Sequence, residues 1–331
     1  MDYAAFGATS QRVSRLGFGA MGFAGWFGGQ DDQAHVRALH TALDLGVNFI
    51  DTARAYGESE RILGFALASW RGEKPFVATK VQGLAGEPQW GRPVPLEVSY
   101  PKGHITADCE RSLKAMGLDC IDLLQLHTYW PTWGVDGYWV DEMQALKQAG
   151  KIRYAGVSLP DHRSDIGLEL VNSGTIDAVQ TVINIFDPLA LELLVPQCQR
   201  RGVAVIARCI LDEGGLTGFL KADTVFPPGD FRDGYFDYTV PRSVYIDKVE
   251  RLKRYVPAQA SSLAALAIRF VLQMPGVTTA ITSMHMEDYA RMNIAAVAEG
   301  PLPDEVFDKL FTKHRFMKHF SYFKNFGKLA P

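Results

Sequence analysis

Four side chains of this 331-residue sequence carry the types and spacing that chemistry needs: Asp51, Tyr56, Lys80 and His127. Asp51 closes the apolar run Val47–Asp51, Lys80 closes Phe76–Lys80, and His127 directly follows Ile121–Leu126. Tyr56 lies just beyond Asp51, within Thr52-Ala53-Arg54-Ala55-Tyr56-Gly57. A free phenol has a pKa near 10, too high for easy proton exchange at neutral pH. A lysine cation beside it favours the phenolate and lowers that value. The lysine needs a carboxylate to stay charged and fixed in a partly buried place. A neutral imidazole can hydrogen-bond a substrate oxygen and set its position. The set contains a proton donor but no metal cluster or acidic pair, which points to carbonyl reduction with the hydride taken from a cofactor. Singly, an Asp–Lys pair more often holds a fold together, and a buried tyrosine more often fills a core. The weight rests on the four together. A Schiff-base lysine at Lys80, in a lyase or isomerase, is the competing use of that residue, but it gives Tyr56 no task.

These positions are useful only if successive strands deliver them to one place. Eight short runs read as strands: Leu16–Gly19, Val47–Asp51, Phe76–Lys80, Ile121–Leu126, Arg153–Val157, Ala178–Val182, Val203–Ala207 and Thr278–Ile281. Several are apolar throughout, as parallel strands covered on both faces are. Helical periods separate them, at Asp32–Leu45, Glu60–Ala68, Ile105–Met116, Val140–Gln148, Ile166–Val171, Leu189–Arg200 and Leu263–Leu272. Gly46, Gly117, Gly150, Gly174 and Gly202 each follow a helical stretch, where a left-handed cap belongs. Strand ends recur at roughly the 30-residue spacing of a strand-plus-helix unit, with one longer insertion after Lys80. The pattern predicts an α/β chain folded as a closed (β/α)8 TIM barrel, a single domain over residues 1–331. A doubly wound open sheet is the alternative. Gly17-x-Gly19-x-x-Gly22 matches the dinucleotide fingerprint by letters, yet Phe23 to Gly29 reads as a loop and offers a pyrophosphate no helix N-terminus.

In such a barrel the working face is the C-terminal end of the strands, where the four side chains fall. The residues before 15 are expected to plug the opposite end. Residues 285–331 are expected to form a C-terminal appendix, helical over Glu287–Ala298 and Asp304–Arg315 and ending in Phe320, Tyr322, Phe323 and Phe326. The stretches Gln82–Gly103, Tyr129–Gly137 and Asp212–Pro241 read as loops over the mouth. Trp26, Phe27, Tyr129, Trp130, Trp133, Tyr235 and Phe236 fall in mouth loops, as packing or as an apolar wall around a substrate.

Composition narrows the partners. Hydrophobic residues make up 47% of the chain, which excludes disorder. The formal charge of -3 leaves no basic surplus for nucleic acid or an anionic membrane. No run approaches the length of a membrane span, and Met1 to Phe6 has neither the basic region nor the apolar core of a secretion signal. A cytoplasmic protein acting on a small molecule is expected. Four scattered cysteines and eight scattered histidines suit reduced thiols and no metal site.

Longer stretches carry a family resemblance. Val47-Asn48-Phe49-Ile50-Asp51-Thr52-Ala53-Arg54-Ala55-Tyr56-Gly57-Glu58-Ser59-Glu60, then Val77-Ala78-Thr79-Lys80, Asp122-Leu123-Leu124-Gln125-Leu126-His127 and Gly150-Lys151-Ile152-Arg153-Tyr154-Ala155-Gly156-Val157-Ser158 occur in this order. Together with Gln180, Asn184 and Leu216-Thr217-Gly218, the sequence resembles the aldo-keto reductase superfamily over nearly its whole length. The resemblance implies a (β/α)8 barrel that reduces aldehydes or ketones, or oxidises the corresponding alcohols or sugars, with a nicotinamide cofactor. It implies Tyr56 as general acid or base, Lys80 and Asp51 as its tuners, and His127 as the group that orients the carbonyl. Ser158 and Gln180 would hold the carboxamide, with Arg208 to Gly215, including Ile210, Leu211 and Gly214, over the pyrophosphate. Gly19 and Asp51 join that cofactor set, as do Thr282, Ser283, His285 and Asn293 after the eighth strand. Trp26, Tyr56, His127, Tyr129 and Trp130 would meet the substrate. A partner-subunit barrel that binds cofactor but turns over little is the alternative within the superfamily.

Three positions depart from the pattern. Ser158 is followed by Leu159 where the family has Asn, so one amide contact is missing. Arg208 stands where an aromatic ring commonly stacks on the nicotinamide; its charge would disfavour the oxidised ring and so favour the reductive direction. After the eighth strand, Ile281-Thr282-Ser283-Met284-His285 replaces Ile-Pro-Gly and its arginine, leaving Arg291 as the nearest cation in the sequence. NADP(H) is the cofactor the family implies, with modest selectivity and NAD(H) usable.

Overall fold

The protein is described by a computed structural model over residues 1–27, 29, 31–84, 94–237 and 240–316. Two short strands, β1 (Tyr3–Ala5) and β2 (Arg12–Ser14), form an antiparallel hairpin. Eight parallel strands follow: β3 (Leu16–Gly19), β4 (Phe49–Asp51), β5 (Phe76–Val81), β6 (Ile121–Leu126), β7 (Ile152–Ser158), β8 (Ala178–Val182), β9 (Ala204–Arg208) and β10 (Thr279–Ser283). They pair in sequence, and β10 pairs with β3 to close the barrel. The open-sheet alternative is thereby excluded. Phe320, Tyr322, Phe323 and Phe326 lie outside the described residues.

The covering helices begin and end where local chemistry says they should. Helix α1 (Asp32–Asp44) starts at Asp31, whose carboxylate accepts from the Ala34 amide at 3.0 Å. The ring continues through α2 (Ser59–Ser69), the short α3 (Leu96–Ser99), α4 (His104–Met116), α5 (Tyr138–Gln148), α6 (Leu168–Ser173) and α7 (Leu194–Arg201). Left-handed Gly117, Gly174 and Gly202 close α4, α6 and α7, as read from the sequence. Helix α7 starts later than the periodicity from Leu189 suggests. Pro196 would sit mid-helix if the helix began at Leu189, but it falls in the first turn when it begins at Leu194. The connection from β9 to β10 holds two helices, α8 (Arg242–Leu252) and α9 (Leu263–Gln273), where the sequence reading had one. Helix α10 (Glu287–Ala298) packs on α1 and α9 and completes the ring, leaving α11 (Asp304–Lys313) and the chain to Phe316 as the part beyond it.

Side chains two apart on a strand share a face, and this period divides the barrel interior into two layers. Phe49, Phe76, Ala78, Leu123, Ala178, Ala204 and Ile206 form an apolar lower layer, into which the hairpin inserts buried Phe6. Its ring lies 4.7 Å from Phe76 and 6.3 Å from Phe49. The segment before residue 15 is thus the plug that was expected. Two residues further along each strand stand Asp51, Lys80, Gln125, Gln180 and Arg208. The same alternation that fills the bottom with hydrocarbon therefore delivers a polar layer at the top. Truncating Phe6 to Ala should remove about 3 kcal/mol of stability, the usual cost of a buried Phe→Ala cavity, measurable as a lower midpoint in urea unfolding.

Candidate active site

The polar layer is organised by one carboxylate. Lys80 Nζ donates to Asp51 Oδ1 at 2.5 Å and to the Thr52 carbonyl at 2.9 Å, with both side chains buried. Gln180 Nε2 donates to Asp51 Oδ2 at 2.8 Å, and Gln125 Nε2 reaches the same oxygen at 3.4 Å. Burial alone would depress the lysine, yet Asp51 and then Tyr56 hold its pKa above the ordinary value, so it stays a cation. Lys80 Nζ lies 5.0 Å from the centre of the Tyr56 ring, within reach of a cation–π attraction. The His127 ring stands nearly perpendicular to Tyr56 at 5.5 Å.

The pKa pattern of the pair differs in one respect from expectation. Lys80 does pull the phenol of Tyr56 down, as does Arg208, but burial outweighs both and Asp51 adds to the upward push, so its pKa is raised. Tyr56 is a firmly protonated donor at rest. His127 is pushed the other way, to about 3, by burial first and then by Lys80 and Arg208. It is neutral throughout the ordinary pH range, as a hydrogen-bonding imidazole must be.

Residues read as cofactor contacts are distributed around the same mouth. Ser158, at the end of β7, and Gln180, in the middle of β8, are register partners, but the Gln180 amide is turned inward onto Asp51. Gly19 closes β3 so near the neighbouring strand that a Cβ would lie 2.9 Å from the Thr282 carbonyl. Arg208 Nη2 donates to the Leu159 carbonyl at 2.9 Å and to Asp161 Oδ1 at 2.5 Å, while its buried Nε has no partner among the described residues. Asp161 thus pairs the cation that was expected to favour the reductive direction. Beyond Arg208 the chain tightens: Cys209, Asp212 and Glu213 have φ of 52°, 48° and 55°, followed by Gly214 at 88°. Such left-handed residues are strained unless held. Asp212 is held by the hydroxyls of Tyr235 at 3.1 Å and Tyr245 at 2.8 Å. The Ile210 side chain is buried in the core, so only its main chain is available to a ligand, whereas Leu211 is half-buried.

At the end of β10, Asn293 Nδ2 donates to Thr282 Oγ1 at 3.1 Å, and Ser283 Oγ meets His285 Nδ1 at 2.8 Å. Gly22, the last glycine of the fingerprint-like triplet, serves packing: a Cβ there would lie 2.4 Å from His285 Nδ1.

The residues expected to meet the substrate fall in different surroundings. Trp26 presents its ring to Tyr56 at 5.9 Å, edge to face. Trp130 is 5% exposed, with Nε1 unpartnered among the described residues and the Arg163 guanidinium 5.9 Å from its ring. Tyr129 corrects the expectation of a mouth-lining ring. It is 1% exposed, packed edge-on against Trp133 and Trp139, and its phenol is pushed up to about 12 by burial. The sequence reading missed Gln125 and Asp161. Gln125 was visible as an amide inside an apolar strand; nothing near Asp161 pointed to Arg208.

Comparison with known proteins agrees with this geometry. The family model described as Aldo/keto reductase family matches residues 15–314. The chain belongs to the aldo/keto reductase family. It is an oxidoreductase of the class that interconverts carbonyl and alcohol groups. The aldo-keto reductase yakc of Schizosaccharomyces pombe, named for NADP(+), is 30% identical over 232 residues, covering 66% of this chain and 64% of its own. The NADH-specific methylglyoxal reductase of Escherichia coli is 28% identical over 308 residues, covering 88% and 92%. Among solved structures, a glycerol dehydrogenase from Gluconobacter oxydans superposes with a TM-score of 0.75 at 29% identity, covering 95% of this chain and 96% of that one.

Two tests follow from the site's electrostatics. Lys80→Met leaves the Asp51 carboxylate buried without its cation and should cost about 3–5 kcal/mol; adding Asp51→Asn should restore part of that loss in denaturant titrations. The second concerns acid. The His127 imidazole takes a proton near pH 6.5 when unfolded but only at about 3 when folded. The unfolded state therefore binds more protons between these values, and stability falls as pH drops below 6.5. His127→Gln should make that acid-side decline shallower.

Proposed function

We propose that this reductase reduces an aldehyde or ketone, or oxidises the alcohol or sugar in reverse, by hydride transfer with a nicotinamide cofactor and Tyr56 as general acid. The observation that carries the reading is the buried Lys80 cation, fixed by Asp51 and placed 5.0 Å from the Tyr56 ring, with a neutral His127 against the same ring. Resting Tyr56 is protonated, so it can donate its hydroxyl proton to a carbonyl oxygen that gains negative charge. As the phenolate forms, the adjacent ammonium stabilises it, and low-dielectric surroundings strengthen that effect. The burial that raises the resting pKa is thus offset when charge develops. Neutral His127 can donate one hydrogen bond to the same oxygen and orient the carbonyl.

The bound cofactor would supply the hydride. The donor set suits it: Ser158 and Gln180 stand side by side, Arg208 Nε is a buried donor without a partner among the described residues, and a left-handed run through Gly214 follows directly on β9. These residues would hold its nicotinamide half, and Gly19, Thr282, Ser283, His285 and Asn293 its adenosine half. Relatives of similar identity are named for NADP(+) and for NADH, so family likeness alone leaves both open.

Tyr56→Phe should lower kcat at least about a hundredfold, the usual contribution of a positioned acid. Cofactor Kd, followed by protein fluorescence, should stay within about twofold. Near-normal turnover in this variant would remove Tyr56 from the mechanism.

A further inference from the structure

The corner between β10 and α10 has a charge arrangement that the sequence did not reveal. Three arginines reach it, and each already faces a carboxylate. Arg291 and Arg37 share Glu287, at 3.9 and 3.3 Å. Arg232 is held by both oxygens of Asp230, Nε to Oδ1 at 2.9 Å and Nη2 to Oδ2 at 2.6 Å, and is packed over the rings of Phe27, Phe219 and Phe226. Phe27 in turn stacks on His285 at 5.6 Å with only 13° between ring planes. His285 offers no charge: burial, with His35 and Arg232 nearby, lowers its pKa to about 4. The first turn of α10 carries Glu287 and Asp288. A helix N-terminus attracts anions, and here two carboxylates already occupy that field. The surface left at the corner is apolar and aromatic, with Met286 and Tyr289 exposed and the Tyr289 ring edge-on to His285 at 5.4 Å.

We infer that this corner receives an uncharged adenosine ribose and rejects a 2′-phosphate, so that the enzyme binds NAD(H) in preference to NADP(H). The inference rests on the proposed nicotinamide chemistry and reverses the preference that family resemblance implies. A 2′-phosphate would bring roughly two negative charges to a corner where the positive charges of Arg37, Arg291 and Arg232 are already balanced by Glu287, Asp288 and Asp230. A 2′-hydroxyl can instead be met by Ser283, the neutral His285 or main chain, and the purine by the exposed apolar surface.

Binding decides the matter without turnover. Titration of the purified protein with NADH and NADPH, read by quenching of tryptophan fluorescence, should give a Kd for NADPH at least about tenfold higher. Raising salt should narrow that gap, because screening weakens repulsion between exposed charges. Asp288→Arg changes an exposed side chain and puts a cation in the first turn; it should tighten NADPH at least about fivefold and leave NADH nearly unchanged. A Kd for NADPH equal to or below that for NADH overturns this inference and leaves the proposed reaction standing. Binding of neither dinucleotide overturns the proposed reaction as well.

Discussion

A lysine ammonium with no water around it needs a carboxylate, and the upper half of this barrel is arranged to meet that need. Taking each ion out of water costs several kcal/mol, and the pair recovers this only when geometry is good and the remaining lone pairs are used. Asp51 accepts from Lys80, Gln180 and Gln125, while Lys80 also donates to the Thr52 carbonyl. One carboxylate therefore ties together side chains from β4, β5, β6 and β8. A slip of one residue in any of these strands would turn its donor outward. The ion pair thus depends on the barrel register, and it penalises every register but one.

The same burial sets the protonation of the groups above it. Beneath the pair lies hydrocarbon, from Phe6 through Phe49, Phe76 and Leu123, so the Lys80 charge is little diluted by solvent. That charge acts in opposite senses on its neighbours. It draws Tyr56 toward ionisation and drives His127 away from it. Burial holds the tyrosine protonated, and it helps hold the histidine neutral. One cation and one buried setting therefore fix both protonation states.

How much of this could be read from the chain follows from the range of each interaction. An ionisable residue ending an apolar run is a local fact, so Asp51, Lys80 and His127 were visible, and with them the eight strands and the closed barrel. Helix α8 also carries a legible period in Tyr245, Val249 and Leu252, all buried, but a regular strand–helix alternation leaves no place for a second helix before β10. Partners distant in sequence were not legible. Gln125 showed its polarity but not its acceptor, 74 residues earlier. Tyr129 was misplaced because an aromatic residue in a loop gives no sign of which way it faces; here it turns into the packed rings of Trp133 and Trp139.

The departures from the family pattern at Leu159 and Arg208 meet in space. Leu159 is apolar and buried in the core, so that position offers the mouth only its main chain. Its carbonyl is taken by Arg208 Nη2, and Asp161, two residues on, takes the same guanidinium. An arginine at 208 therefore requires the 159–161 segment to face it with a carbonyl and a carboxylate. An aromatic ring at 208 would leave Asp161 without this cation. Conversely, the segment's conformation gives Arg208 two acceptors and leaves its Nε without one among the described residues. Each position looks isolated along the chain, but at the mouth of the barrel they meet through the Leu159 main chain, and Asp161 is the side chain that pairs the arginine.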